Sequence, residues 1–232
     1  MTSKLIILEG PDGSGKSCAA TNLRFRIGDE LKAAGADSKA IVLRDPGTTD
    51  FGEEIRQIVL DPNRKIDNPA IFFAFTAARA ELLAMAKRHL DEGHVVIMDR
   101  LWPSTVAYQG YGSGIPMDVI LASSRYLLEH YIPLTQDIHY VFLTASRELR
   151  RARLTGSRGK DRFESKPKDF FDRLDIGYLK AANMAADFSK HWATVHRLSV
   201  ETLDENGVVD TIMNGLPAKW TLPGVTSLRI AP

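Results

Sequence analysis

The stretch LEGPDGSGKS, Leu8–Ser17, constrains this chain more than any other feature. Gly10 and Gly15 bracket Pro11, Asp12, Gly13 and Ser14, and Lys16 and Ser17 follow, which is the spacing G-x-x-x-x-G-K-[ST]. Glycines let the backbone curl until successive N–H groups point at one anion. A helix starting near Gly15 adds the positive end of its dipole and carries Cys18 in its first turn. Lys16 reaches the outer phosphates of a bound nucleotide, and the Ser17 hydroxyl can ligate Mg²⁺. An apolar run precedes the loop and a helical pattern leaves it, which is the context such a cradle needs. The pattern implies a nucleoside triphosphate. It does not say whether the terminal phosphate passes to water or to another acceptor.

Apolar runs that read as strands recur at Lys4–Glu9, Ala40–Leu43, His94–Asp99, Ile138–Leu143 and Ala193–Leu198, with helical patterns between them. Such alternation predicts an α/β fold, a parallel five-stranded sheet with helices on both faces. Asn68–Gly93 is the clearest helical segment. Asn68 is placed to cap it, Pro69 suits its first turn, Lys87, Arg88 and His89 suit its negative end, and Gly93 can stop it. A second helix is predicted over Met117–Tyr131, with further helical patterns after Ser146 and over Pro167–His191. Thr155–Lys166 and the segment after Gly215 read as loops.

The 232 residues carry a formal net charge of +1, which argues against a broad nucleic-acid surface. Cys18 is the single cysteine, so no internal disulfide can form and a reducing, cytoplasmic setting is the default. The N-terminal apolar run breaks at Glu9, short of a signal peptide or membrane span, and the reading finds no longer apolar run elsewhere.

Asp99-Arg100 follows the third strand. Ligands of open α/β sheets bind at the carboxyl ends of strands, so Asp99 is placed beside the cradle to hold Mg²⁺ directly or through water. The Arg100 guanidinium suits a phosphate because it donates two parallel hydrogen bonds. Ser104 and Tyr108 are four apart and share a face if this stretch is helical. Gln109 offers both donor and acceptor groups to a nucleobase edge. Phe72, Phe75 and Arg79 also share a helix face, with a ring for stacking and a cation for hydrogen bonding. Phe72 and Phe73 read better as core. An arginine on an apolar face requires a partner for its charge.

The ordered motifs LEGPDGSGKS, RDPGTTDFGE, FAFTAARAEL, DRLWPSTVAYQG and DRFE followed by FFDRLDIGYLKAA resemble the thymidylate kinase family, from Lys4 to about Ala186. The resemblance implies a single kinase domain over residues 1–215, a mobile arginine-rich lid over about 146–166, and a tail, 216–232, without an assigned role. It implies transfer of the γ-phosphoryl of ATP to thymidine monophosphate, with Mg²⁺, by a homodimer whose partners are small nucleotides rather than nucleic acid or membrane. Asp12 would contact the 3′-hydroxyl of the acceptor sugar. Phe75 would stack on thymine and Arg79 would hydrogen-bond its edge. Arg100, with Arg44, would hold the acceptor phosphate. Ser104 and Gln109 would help read the base, Tyr108 would disfavour a ribose hydroxyl, and Phe51 would close one wall.

Asp45 and Thr48 depart from the family's usual Arg-Glu-Pro-Gly-Gly-Thr, and Leu101 and Trp102-Pro103 are also unusual. These changes are expected near the acceptor pocket and leave open a kinase for another, 5-substituted deoxypyrimidine monophosphate. Some family members carry an arginine within the cradle, where this chain has Gly13; others place arginines in the lid. Arg151 fits the first position of the lid spacing Arg-x-x-x-Arg-Gly, but Thr155 fills the second, so Arg153 or Arg158 is expected to supply the catalytic cation. Thr155 also leaves open a nucleotide-binding regulator without transfer activity.

Overall fold

A computed structural model of the chain describes residues 4–132, 137–154, 162–163, 165–189 and 193–216. Arg158, most of the expected lid loop, and the tail after residue 216 lie outside the described residues.

Five strands form one sheet: β1 (Lys4–Glu9), β2 (Ala40–Arg44), β3 (Val95–Asp99), β4 (Asp137–Thr144) and β5 (Ala193–Ser199). Their order is β2-β3-β1-β4-β5 and every pairing is parallel. β1 is central, and Leu5, Ile6, Ile7 and Leu8 are fully buried. A strand covered on both faces has no reason to alternate, which is why KLIILE reads as a continuous apolar run.

Period two along each strand divides the core. Leu5, Ile7, Val96 and Met98 pack under α3 (Asn68–Asp91), α5 (Met117–Tyr131) and α7 (Lys168–Ser189), through Leu82, Leu83, Leu127, Leu128, Ala181 and Ala185. Ile6, Leu8, Val95 and Ile97 pack under α1 (Lys16–Ala33) and α8 (Glu205–Gly215), through Leu23, Ile27, Leu31, Val208 and Ile212. A smaller cluster of Val59, Phe75, Tyr108, Phe163, Phe170, Leu174 and Tyr178 gathers above one end of the sheet.

Four details differ from the sequence reading. Asn68 is the first helical residue of α3 rather than its cap; Asp67 stands at the cap without a side-chain bond, and the Asn68 amide donates to Ser113 O (3.1 Å). Two helices were not anticipated: α2 (Asp50–Leu60), capped by Thr49, and α8, capped by Asp204. The segment after β3 forms a short α-turn, α4 (Trp102–Thr105), that widens into a π-helix over Val106–Gly112. Finally, α3 is long and apolar enough to cross a membrane by length and composition, with a mean hydropathy of 1.4. Its surroundings are those of a core helix, since Leu82, Leu83 and Leu90 pack on the sheet and Arg79 is paired within the protein.

Candidate active site

β1 and β3 run in register, Leu8 beside Asp99, so the turns that follow them open on one cleft. The turn after β1 is the glycine-rich cradle. Gly10, Gly13 and Gly15 have φ of 143°, 79° and 92°, a region that side chains disfavour. A Cβ on Gly13 would lie 2.5 Å from Arg150 O of α6 (Arg147–Leu154). This position therefore has neither the conformation nor the space for the arginine that some relatives carry there.

The donor cleft holds about 660 Å³ and is bordered by Gly13, Ser14, Gly15, Lys16, Ser17, Cys18, Asp99 and Arg153. Lys16 Nζ donates to Pro11 O (2.9 Å). Burial, and then the neighbouring Arg100, lowers the Lys16 pKa to about 8. Ser17 Oγ donates to Asp99 Oδ2 (2.6 Å), while Asp99 Oδ1 is buried without a hydrogen-bond partner. A hydroxyl and an under-used carboxylate at the mouth of a phosphate cradle are a donor set suited to a hard divalent cation. Another group of possible metal ligands, His89, Glu92 and His94, stands at the far end of β3. There Lys39 N donates to His94 Nδ1 (3.3 Å), which leaves the proton on the Nε2 that faces Glu92 rather than a lone pair for a metal.

The acceptor pocket is tighter, about 90 Å³, and Phe75, Arg79, Ser104, Tyr108 and Gln109 all line it. Phe75 stacks with Phe163 at 6.2 Å between ring centres. Gln109 Nε2 is buried without a partner among the described residues, so the pocket presents a hydrogen-bond donor in need of an acceptor. Arg79 has the partner its buried charge requires: Nε donates to Asp45 Oδ2 and Nη2 to Thr105 Oγ1, both at 2.6 Å. Asp45, unusual in sequence, is thus the counter-charge of Arg79.

Arg100 joins the two halves. Its φ is 78°, and its backbone N donates to Leu8 O (3.0 Å). Its guanidinium donates to Gly10 O (3.1 Å), Ser104 Oγ (2.8 Å), Tyr178 OH and Asp12 Oδ1. Asp12 also accepts from Tyr108 OH. Burial alone would raise the Asp12 pKa, but Arg100 and Lys16 outweigh it and hold the carboxyl well below its usual range. Burial, and then Asp12, pushes the Tyr108 phenol well above its ordinary value.

Three expectations are corrected in placement. Phe51 is 44% exposed and borders neither pocket; α2 reaches the site from its opposite side, through Arg56 and Leu60. Arg151 is exposed and off the donor cleft, whereas Arg153 of the same helix borders the cleft, its Nη1 3.5 Å from Gly13 O. Leu101 and Trp102 are fully buried in the core, with Trp102 Nε1 donating to Tyr140 OH (3.0 Å), and do not touch the acceptor pocket. Sequence reasoning passed over Glu9, Arg56, Thr105, Phe163 and Tyr178, which only the fold brings to the site. It also passed over Leu203, Asp204, Glu205 and Val208, which wall the donor cleft.

A parallel sheet of this order, with a glycine-rich cradle and a second pocket that share Arg44, Arg56 and Arg100, defines a P-loop nucleotide phosphotransferase. The family model described as thymidylate kinase matches residues 8–203. A thymidylate kinase of Paraburkholderia phytofirmans is 34% identical over 182 residues, covering 78% of this chain and 85% of the relative. The chain belongs to the thymidylate kinase family. In fold it is similar to the crystal structure of thymidylate kinase from Ehrlichia chaffeensis (TM-score 0.65, 24% identity, 92% of this chain and 98% of that one). It is similar also to that from Candida albicans (TM-score 0.68, 23% identity, 92% and 90%).

Proposed function

We propose that the protein transfers the γ-phosphoryl group of ATP to thymidine 5′-monophosphate, giving the diphosphate. One observation carries this reading: Asp12, Arg44, Arg56 and Arg100 border the donor cleft and the acceptor pocket alike. Three guanidiniums at the junction suit two phosphate chains brought end to end, where charge is most concentrated during transfer.

The cradle amides and Lys16 hold the triphosphate. Arg100 and Arg44 orient the acceptor phosphate, Phe75 stacks on the base, and Arg79 and Gln109 hydrogen-bond its edge. Asp12 turns toward the sugar hydroxyl, and Tyr108 stands against a ribose 2′-hydroxyl. Arg153 reaches the transferring group from α6. Ser17 and Asp99 would hold Mg²⁺, which neutralises phosphate charge when bound. No general base is required, because a monophosphate is already ionised at neutral pH. Of the departures that motivate a different deoxypyrimidine acceptor, Leu101 and Trp102 face the core and Thr48 does not border the acceptor pocket, while Asp45 does.

Phe51 and Ile58 of α2 and Phe73 of α3 are exposed, at 44%, 39% and 61%. A second copy of the chain covering them fits the homodimer that the resemblance implies. The function is tested with γ-labelled ATP, Mg²⁺ and a panel of nucleoside monophosphates. Thymidylate is expected to take the label fastest, ahead of deoxyuridylate, deoxycytidylate and ribosylthymine monophosphate. Label in no pyrimidine mononucleotide overturns the proposal.

A further inference from the structure

Glu9 is the last residue of β1 and immediately precedes the cradle. It is fully buried, an unusual place for a carboxylate unless it has work for its oxygens. Oε1 accepts from Leu101 N (2.7 Å) and, at 3.4 Å, from Ser104 N. Oε2 accepts from Ser104 Oγ (2.6 Å). All three bonds go to the turn that follows Arg100, whose Ser104 lines the acceptor pocket. Glu9 itself borders neither pocket.

The turn needs such a restraint. Arg100 is a non-glycine residue at φ 78°, a conformation that persists only where surrounding bonds enforce it. The hydroxyl of Ser104 then works in both directions: it donates to Glu9 and accepts from Arg100 Nη1. The guanidinium is therefore aimed through Ser104 by a carboxylate anchored in the central strand. Gly10 O, one residue beyond Glu9, accepts from the same Nη1.

We propose that Glu9 is a positioning residue for acceptor binding, holding the Leu101–Ser104 turn so that the Arg100 guanidinium faces the acceptor phosphate. The inference rests on the phosphotransfer reading above. Glu9→Gln tests it with little change of volume. A side-chain amide has one acceptor and one donor end. With its N–H group toward Leu101 N the amide loses that bond; with the N–H group toward Ser104 Oγ it donates where Glu9 accepts, so the hydroxyl must turn its proton away, and in both cases the carboxylate charge is gone.

The charged and titratable groups around Glu9 are Arg100, Lys16 of α1, Tyr140 of β4 and Tyr178 of α7. Burial, opposed chiefly by Arg100, leaves the Glu9 pKa raised to about 7. In the parent enzyme kcat/KM for thymidylate should therefore carry a rise with pH through the neutral range that the variant lacks. The phosphate of the substrate titrates alike against both proteins, so the difference isolates Glu9.

The parent enzyme is first shown to label thymidylate; failure there removes the functional reading and this inference with it, whereas failure of the variant comparison removes this inference alone. With that in hand, Glu9→Gln is expected to raise KM for thymidylate by about tenfold, with KM for ATP changed less than about twofold. Its kcat/KM profile should lose the neutral-range rise. An unchanged KM for thymidylate, or equal rises for both substrates, overturns the proposal. If Glu9→Gln does not fold, Glu9→Asp, which keeps the charge but falls a methylene short, is put through the same comparison.

Discussion

At the scale of residues, the active cleft is a set of charges each held in place by a named partner. Lys16→Ala removes the cation that faces the triphosphate and should lower kcat on the order of 100-fold or more in a protein of unchanged circular dichroism. Arg153→Ala should slow transfer while Arg151→Ala leaves it nearly intact, because only Arg153 borders the donor cleft. Steady-state rates of the two single variants check this; equal effects would remove Arg153 from its role. Glu9 also makes stability depend on pH. Its folded pKa of about 7 lies above the ordinary glutamate value, so its contribution is fully present below the unfolded value and is lost as pH rises through about 7. Thermal melts of the parent and of Glu9→Gln should therefore diverge between about pH 5 and pH 8, with the parent losing ground as pH rises. The cradle and Asp99-Arg100 were legible in sequence because each is a contiguous motif at a strand end. Tyr178 was not legible: it meets Arg100 across 78 positions of chain, and nothing local to either residue marks the pairing.

At the scale of elements, legibility followed the strength of the apolar pattern. β1 and α5 have the bounds expected from sequence, because a run buried on both faces and an amphipathic stretch ending just before Pro133 carry their own signals. The second helix escaped notice because only Gly52 and Val59 of its residues are buried, and the final helix because its pattern merges with the tail. The π-helix has no compositional signature. It widens the turn so that Tyr108 and Gln109, adjacent in sequence, both line the acceptor pocket, where an α-helical reading pairs Tyr108 only with Ser104. This segment is held by α7, and Gly177 is the point of closest approach. A Cβ there would stand 2.8 Å from Ala107 Cα and 3.0 Å from Tyr111 Cβ. Gly177→Ala should force the two helices apart and destabilise the fold by about 1–3 kcal/mol, read by urea denaturation. It should also raise KM for thymidylate, since Tyr178 and Tyr108 move with those elements.

At the scale of the whole molecule, the sheet order sets the function. Placing β1 between β3 and β4 brings the cradle, the Asp99-Arg100 pair and the arginine-bearing α6 together at the carboxyl end of the sheet. The opposite end keeps the strand beginnings. The exposed apolar residues of α2 and α3 point to assembly of two copies, and Phe73→Asp should convert the expected dimer to monomer in sedimentation velocity. A parent protein that sediments as a monomer would overturn that expectation.

The Asp45–Arg79 pair has a consequence for how such an enzyme can change. The two residues are 34 positions apart, yet each is the other's charge partner in the protein interior. Replacing either alone strands an ion away from water, at about 3–5 kcal/mol. Loss of charge at one position is therefore tolerable only beside loss at the other, so the two residues can be exchanged for neutral ones only as a pair.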